Sequence, residues 1–136
     1  MWGNNKKPKQ TAHIDSLIGQ NTEIHGDVIF SGGLHVDGTV KGSVIAEKGE
    51  DSVLTLSERG TIEGEVKVPN VVVNGSVIGD VHATGHVELA ALARVHGNVY
   101  YSLIEMAMGA EVNGKLMHQE DTKGQAASEE ENTEEA

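Results

Sequence analysis

The chain has 136 residues, which suits a single domain, and only 3% of them are aromatic. It has no Cys, which excludes disulfides and thiolate metal sites, and no apolar run approaches the ~20 residues of a membrane-spanning helix. The net charge of −11 argues against a nucleic-acid surface, because phosphate binding needs a basic footprint. From the absence of Cys and of a long apolar run, we expect a soluble cytoplasmic protein.

The first segment, residues 1–13, is polar and basic and shows no periodicity, so we predict a disordered arm. It pairs an interfacial aromatic side chain with a small cationic cluster, a combination that indicates binding to an anionic membrane surface. The alternative is a solvated arm without a partner. The residues that would bind the membrane are Met1, Trp2, Lys6, Lys7 and Lys9.

A five-residue motif occurs six times in residues 14–117. Its first and last residues are aliphatic, and its third residue is Gly. The copies are Ile24–Val28, Val40–Val44, Ile62–Val66, Val77–Val81, Val95–Val99 and Val112–Leu116. Their glycines lie 16, 22, 15, 18 and 17 residues apart. A helix-pair repeat needs roughly 33 residues, so this shorter repeat suits one coil of a β-solenoid.

A third apolar position accompanies each copy, six residues before its first aliphatic residue. These residues are Ile18, Leu34, Leu56, Val71, Leu89 and Met106. We therefore predict three apolar columns in which each coil stacks on the next. The scarcity of aromatic residues fits, because stacked aliphatic side chains fill a narrow interior.

Short segments of alternating polarity, such as Leu54–Ser57, predict strands with one inward and one outward face. Asp37-Gly38 and Asn74-Gly75 mark turns, and the charged residues 47–52 predict a loop that bulges from one coil. Asn74-Gly75 could instead close a hairpin, so the alternative fold is an antiparallel sandwich. The repeated apolar register favours the solenoid.

The spacing of the repeats departs from the multiples of six found in left-handed hexapeptide helices, and this favours a right-handed helix. We predict an all-β, single-domain, right-handed β-helix of about six short triangular coils over residues 14–117. Residues 118–136 are rich in Glu, Ala, Ser and Gln and predict a disordered acidic tail.

Candidate sites for chemistry are weak. His82 and His86 would share one face of a helix, but in a β-turn region we predict two solvated loop side chains. Three acids that follow a motif glycine could form an outward ladder, and we expect them to serve solubility and lateral packing; they are Asp27, Glu65 and Asp80. No Gly-rich loop precedes a helix and no nucleophile elbow is present, so we predict no catalytic residue, metal or cofactor.

The six motifs, together with the stretches Ile18-Gly19, Phe30–Leu34 and Val36–Gly42, resemble the bactofilins, a family of bacterial cytoskeletal proteins. The resemblance covers nearly all of residues 14–117. It implies a compact right-handed β-helix that assembles without a nucleotide into filaments, joined N-end to N-end and C-end to C-end. It also implies a membrane-binding peptide in the arm and a scaffold at the inner face of the cytoplasmic membrane. Such a scaffold shapes cells or positions cell-wall enzymes, so cell-wall and morphogenesis proteins are implied partners.

The ends of the solenoid give an independent argument for self-assembly. Soluble solenoids cover their end coils with caps, and no cap precedes the first motif copy or follows the last. We therefore predict that the first and last coils form the contacts between subunits. The residues in question are Ile18 and Ile24 at the N-terminal end, and Met106, Val112 and Leu116 at the C-terminal end.

The alternative function is a trimeric β-helical enzyme of the acyltransferase or carbonic anhydrase type. Such enzymes build sites between subunits from His and acidic residues. The missing hexapeptide spacing argues against that class, and we predict a structural polymer that is not an enzyme.

Overall fold

The computed structural model describes residues 15–47 and 51–119, which form eighteen short β-strands and no helix. The strands are β1 (Ser16–Ile18), β2 (Glu23–His25), β3 (Val28–Phe30), β4 (Gly33–Val36), β5 (Thr39–Lys41), β6 (Val44–Ala46), β7 (Val53–Leu56), β8 (Thr61–Glu63), β9 (Val66–Lys67), β10 (Asn70–Val73), β11 (Ser76–Ile78), β12 (Val81–His82), β13 (His86–Leu89), β14 (Arg94–His96), β15 (Val99–Tyr101), β16 (Leu103–Met106), β17 (Glu111–Asn113) and β18 (Leu116–His118).

Each strand pairs in parallel with the strand three places later in the chain, which produces three six-stranded sheets. Sheet A contains β1, β4, β7, β10, β13 and β16; sheet B contains β2, β5, β8, β11, β14 and β17; sheet C contains β3, β6, β9, β12, β15 and β18. Three successive strands therefore make one coil of a six-coil β-solenoid. The predicted solenoid is confirmed, and the antiparallel sandwich is wrong, because every strand pair among the described residues is parallel. The right-handed sense stays a prediction.

Two of the three predicted apolar columns are in register from the first coil to the last. The column in sheet B contains Ile24, Val40, Ile62, Val77, Val95 and Val112. The column in sheet C contains Val28, Val44, Val66, Val81, Val99 and Leu116. The two aliphatic residues of each motif therefore face the core from two different sheets.

The third column, in sheet A, was predicted wrongly at two of its six positions. Val36 and Val73 lie in register with Leu56, where the spacing had placed Leu34 and Val71. Leu34 and Val71 are also buried, but they belong to a neighbouring inward column two residues earlier in each strand.

The cause of this shift is the length of the connection between sheets A and B. Two residues, Asp37-Gly38, join β4 to β5, and two residues, Asn74-Gly75, join β10 to β11. The other four connections from sheet A to sheet B contain four residues each. A fixed spacing of six residues therefore selects the wrong inward residue in the two coils with short connections.

The motif glycines stack along the corner between sheets B and C. A Cβ on Gly64 would overlap the carbonyl oxygen of Gly42, and the same holds at each later step of the ladder. Gly26, in the first coil, has no atom within 4 Å of the position of its Cβ. Glycine is therefore required at five of the six motif positions, because the backbone of the previous coil occupies the space that a side chain would need.

The chain enters and leaves the solenoid at one edge, where sheet C strands end and sheet A strands begin. Asp15 N–H donates to the Gly33 carbonyl over 2.9 Å, and Gln119 N–H donates to the Tyr101 carbonyl over 2.7 Å. β6 ends and β7 begins at the same edge, and the predicted loop 47–52 falls between these two strands in the sequence. The structure does not describe residues 1–14, 48–50 or 120–136, and the predictions of disorder for the two tails rest on these residues.

Candidate assembly site

The C-terminal end of the core is bare as far as the described residues, which end at residue 119, are concerned. Met106 and Leu116 end two of the apolar columns and are 45% and 42% exposed, whereas Leu89, one coil further in, is 1% exposed. Val112 ends the sheet B column and is half-buried. The three residues predicted to form the C-terminal contact thus lie together on the last coil, and their inward faces are only partly covered.

Two further apolar side chains of the last coil are exposed. Leu103 is 66% exposed, and Met108, at the corner after β16, is 89% exposed. The motif pattern did not select them, because neither belongs to an inward column. The signal available in the sequence is the dipeptide Met108-Gly109, a turn signal that places an apolar side chain at a corner.

The N-terminal end is better covered. Ile18 is 7% exposed and Phe30 is 8% exposed, while Ile24 and Val28 are half-buried. Ile18 and Ile24, the predicted contact residues, therefore lie on the first coil as expected. Little of the Ile18 side chain is accessible to another subunit. Phe30 packs in the core cluster of this coil and was not among the predicted residues.

Each end also presents the edges of three sheets. Within the solenoid, Gly97 N–H donates to the Asn113 carbonyl and Val99 N–H donates to the Lys115 carbonyl of the next coil. The corresponding N–H groups of Gly114 and Leu116 face the C-terminal end, where no further coil exists among the described residues. Such an edge, beside bare apolar side chains, favours pairing with another chain.

Side chains that follow the motif glycine tie successive coils together along the corner between sheets B and C. Asp27 Oδ1 accepts the Ser43 N–H over 2.9 Å, and Asp80 Oδ1 accepts the Asn98 N–H over 2.9 Å. Asn98 Oδ1 in turn accepts the Lys115 N–H over 3.0 Å. Asp27 and Asp80 therefore have a structural role that the prediction of solubility and lateral packing did not include, because both satisfy backbone donors.

Charged pairs cross the first and last coil boundaries on sheet B. Lys41 Nζ lies 3.1 Å from Glu23 Oε2, and Arg94 Nε lies 3.5 Å from Glu111 Oε1. The hydrogen bond from Lys41 lowers the pKa of Glu23, and the same contact raises the pKa of Lys41. Both pairs are exposed, so each contributes little to stability.

The two histidines predicted to lie in loops lie in strands. His82 belongs to β12 and stacks on Tyr100, with ring centroids 4.6 Å apart and planes inclined by 3°. His86 belongs to β13, with Nε2 3.7 Å from Glu105 Oε1. The two residues belong to different sheets, C and A, so their spacing of four residues does not bring them together in one site.

One group of potential metal ligands is present among the described residues. Donor atoms of Glu65, Asp80 and His82 lie within 4.8 Å of one another. Asp80 already accepts a backbone hydrogen bond, and Lys67 Nζ lies 3.6 Å from Glu65 Oε1. These competing partners and the exposure of the group give no basis for assigning a metal, and we treat it as an acidic patch.

The residues predicted to bind the membrane, Met1, Trp2, Lys6, Lys7 and Lys9, lie outside the described residues. Within the described ranges, no helix is long and apolar enough to span a bilayer.

Comparison with known proteins agrees with this architecture. The family model described as "Bactofilin: Polymer-forming cytoskeletal" matches residues 16–117. The chain is 29% identical over 108 residues to bactofilin BacO of Myxococcus xanthus (strain DK1622), a match that covers 79% of this chain and 82% of BacO. It is 31% identical over 98 residues to bactofilin BacP of the same organism, which covers 71% of this chain and 41% of BacP. No solved structure gives a significant match. Because the family match runs from the first strand of the solenoid into the last, the chain belongs to the bactofilins, a family of polymer-forming cytoskeletal proteins.

Proposed function

We propose that this protein is a cytoskeletal scaffold that assembles without a nucleotide into non-polar filaments at the inner face of the cytoplasmic membrane. Its filaments would help to shape the cell or to position cell-wall enzymes. The observation that carries the proposal is the C-terminal end of the core, where Met106, Val112 and Leu116 end the three apolar columns and no described residue covers them.

Contact between like ends fits the difference between the two ends. A two-fold contact places the same patch of both subunits face to face, so two bare C-terminal coils cover each other. The inward residues of the N-terminal coil have less exposed apolar surface, because Ile18 and Phe30 are already buried; the exposed Leu17 and Ile29 of this coil point outward from sheets A and C. The C-end contact should therefore be the stronger one, and filaments should grow by joining C-end dimers through their N-terminal coils.

The arm would supply the membrane attachment. Its Trp and three Lys would each contribute a weak interaction with an anionic surface, and a filament would display many arms at once. The body between residues 14 and 117 has a net charge of −8 and would be repelled by the same surface. Attachment through the arm is therefore favoured over attachment through a face of the solenoid.

Electron microscopy of the purified protein, in buffer without nucleotide or metal, tests the polymer. We expect unbranched filaments, and size-exclusion chromatography should show elution at the void volume. A monodisperse monomer across a range of salt and protein concentrations would contradict the proposal. A discrete trimer would instead support the alternative β-helical enzyme.

A further inference from the structure

A stripe of mainly aliphatic and ring-bearing side chains, interrupted by Lys67, runs the length of the solenoid on the outward face of sheet C. It consists of the residues three places after each motif glycine, which are Ile29, Ile45, Lys67, His82, Tyr100 and Met117. Ile29 is 62% exposed and Met117 is 40% exposed. We call this set the sheet C stripe. Nothing in the assembly contacts proposed above covers it, because those contacts involve the ends.

The other two faces of the solenoid differ in character. The outward columns of sheet B carry polar or charged side chains at every position except Ile78. The outward face of sheet A is mixed: Leu17 and Leu103, 63% and 66% exposed, lie at its two ends, and Glu88 and Glu105 lie in its later coils. The sheet C stripe adds a stacked ring pair, His82 and Tyr100, to its apolar side chains, which suits an aromatic partner.

The chemistry beside the stripe indicates the charge of that partner. Donor atoms of Glu65, Asp80 and His82 lie within 4.8 Å of one another, so the two carboxylates lie beside the His82 ring, which stacks on Tyr100. Lys67 Nζ, 3.6 Å from Glu65 Oε1, offsets part of their charge. Aromatic and aliphatic surface next to carboxylates suits a segment that combines an aromatic side chain with lysines. The body of a second copy is a poorer match, because its net charge is −8.

One segment of this chain has that composition and can reach the stripe. Residues 1–14 contain the single Trp of the protein and three Lys, with no acidic residue. They join the solenoid at Asp15, at the edge where sheet C ends. Fourteen residues span up to about 46 Å when extended, whereas six strands in a sheet span about 24 Å. The arm can therefore place Trp2 on the ring pair in the fourth and fifth coils.

We propose that, away from a membrane, the N-terminal arm docks on the sheet C stripe of its own chain, with Trp2 against Tyr100 and His82 and the lysines toward Glu65 and Asp80. Docking needs neither a filament nor a membrane, so it goes beyond the function proposed above. Its consequence is regulatory, because an arm bound to the stripe is withheld from the bilayer and membrane attachment must first displace it.

Trp2 provides a direct probe, since it is the only Trp in the protein. Acrylamide quenching of its fluorescence should be measured in the full-length protein without lipid and in a peptide of residues 1–14. We expect the quenching constant of the protein to be less than half that of the peptide. Tyr100→Ser should restore most of the quenching. Ile78→Ser, which removes an exposed apolar side chain from sheet B in place of sheet C, should leave Trp2 protected.

Two outcomes would overturn the docking. Trp2 could be quenched as readily in the wild-type protein as in the Tyr100→Ser variant, or Tyr100→Ser and Ile78→Ser could have equal effects. A second pair of changes, Glu65→Gln with Asp80→Asn, tests the charges; Asp80→Asn keeps the oxygen that accepts the Asn98 N–H. We expect it to weaken protection and to make the remaining protection insensitive to salt, and unchanged, salt-sensitive protection would contradict the role of these carboxylates.

Docking within one chain can be separated from docking between chains. An excess of Trp2→Ala protein, which has an intact stripe, should not restore protection to Tyr100→Ser protein. Restored protection would show that the arm binds a neighbouring copy. Vesicles of phosphatidylglycerol and phosphatidylcholine then test the consequence: Tyr100→Ser should bind several-fold more tightly than the wild type. If neither protein binds vesicles while Trp2 is protected, the membrane role fails and the docking stands.

Discussion

The carbonyl oxygen of Gly42 occupies the space that a Cβ on Gly64 would need, so these two residues in successive coils are in direct backbone contact. The distance between coils is fixed by the hydrogen bonds of three parallel sheets. A side chain at Gly64 can be accommodated only if the corner between sheets B and C opens. The glycine of the motif is thus a requirement of stacking.

We predict that Gly64→Ala destabilises the solenoid by about 3 kcal/mol, because the backbone that it would overlap cannot rotate away as a side chain could. Gly19→Ala is the matched control, since its Cβ would meet only Thr22 Oγ1 at 4.0 Å. Thermal unfolding followed by circular dichroism would measure both. Equal melting temperatures for the two variants would show that the corner opens without cost.

A charge in the last coil should prevent long filaments and leave the fold intact. Val112→Arg would place a guanidinium in each C-end contact, at a cost of about 3 kcal/mol or more. The expected product is a dimer joined through N-terminal coils, with an unchanged β-type circular dichroism spectrum. Electron microscopy and analytical ultracentrifugation would detect it.

The matched control for that change is Val77→Arg, in the same column of sheet B but 1% exposed in a central coil. This variant should fail to fold, because the charge would be buried within the subunit. Filaments of normal appearance from Val112→Arg would mean that the last coil does not form the contact.

Membrane binding should depend on both the arm and the polymer. Each Lys near an anionic surface contributes roughly 1 kcal/mol, so a single arm is a weak anchor and many arms on one filament are a firm one. We expect pelleting with anionic liposomes to fall in a deletion of residues 2–9, in Trp2→Ala and in Val112→Arg. Filaments that sediment without lipid must be subtracted. If the deletion pelleted as well as the wild type, the arm would be only a solvated tail.

The contact between Glu23 and Lys41 should make the first coil sensitive to acid. The pKa of Glu23 lies below its usual value of 4.5, so its stabilising effect is present above that pH and is lost as the pH falls through the lowered pKa. Lys41 has a pKa above its usual 10.5, and its effect is lost as the pH rises through that raised value. Glu23→Gln should therefore lower the melting temperature slightly at neutral pH and not at all in strong acid. A difference that is constant with pH would contradict the pairing.

The sequence predicted the sheet B and sheet C columns correctly, because the motif holds both aliphatic residues at a fixed distance around Gly. It failed in sheet A at Leu34 and Val71. The length of the corner between sheets A and B varies, and a fixed offset from the motif does not follow that variation. Met106, Val112 and Leu116 lie on the last coil, as predicted, and their part in assembly stays a prediction. The degree of coverage at Ile18 could not be predicted, since it depends on how neighbouring side chains such as Phe30 pack.

The sheet C stripe was missed although its signal lay in the motif itself. The position three residues after Gly holds an apolar or ring-bearing side chain in five of six copies, with Lys67 as the exception. His82 was instead compared with His86, its neighbour in sequence. The structure pairs His82 with Tyr100, eighteen residues away, because one coil separates them.

Asp15 and Gln119 meet the solenoid at the same edge, since the described chain starts with a sheet A strand and ends with a sheet C strand. Each coil thus starts and ends at the same edge. A whole coil can therefore be gained or lost without moving the attachment point of either tail to another edge. The length of the rod can change in steps of about 4.8 Å while both tails keep their orientation. Tandem duplication of one coil could in this way change the spacing of the membrane anchors that we propose for the arm.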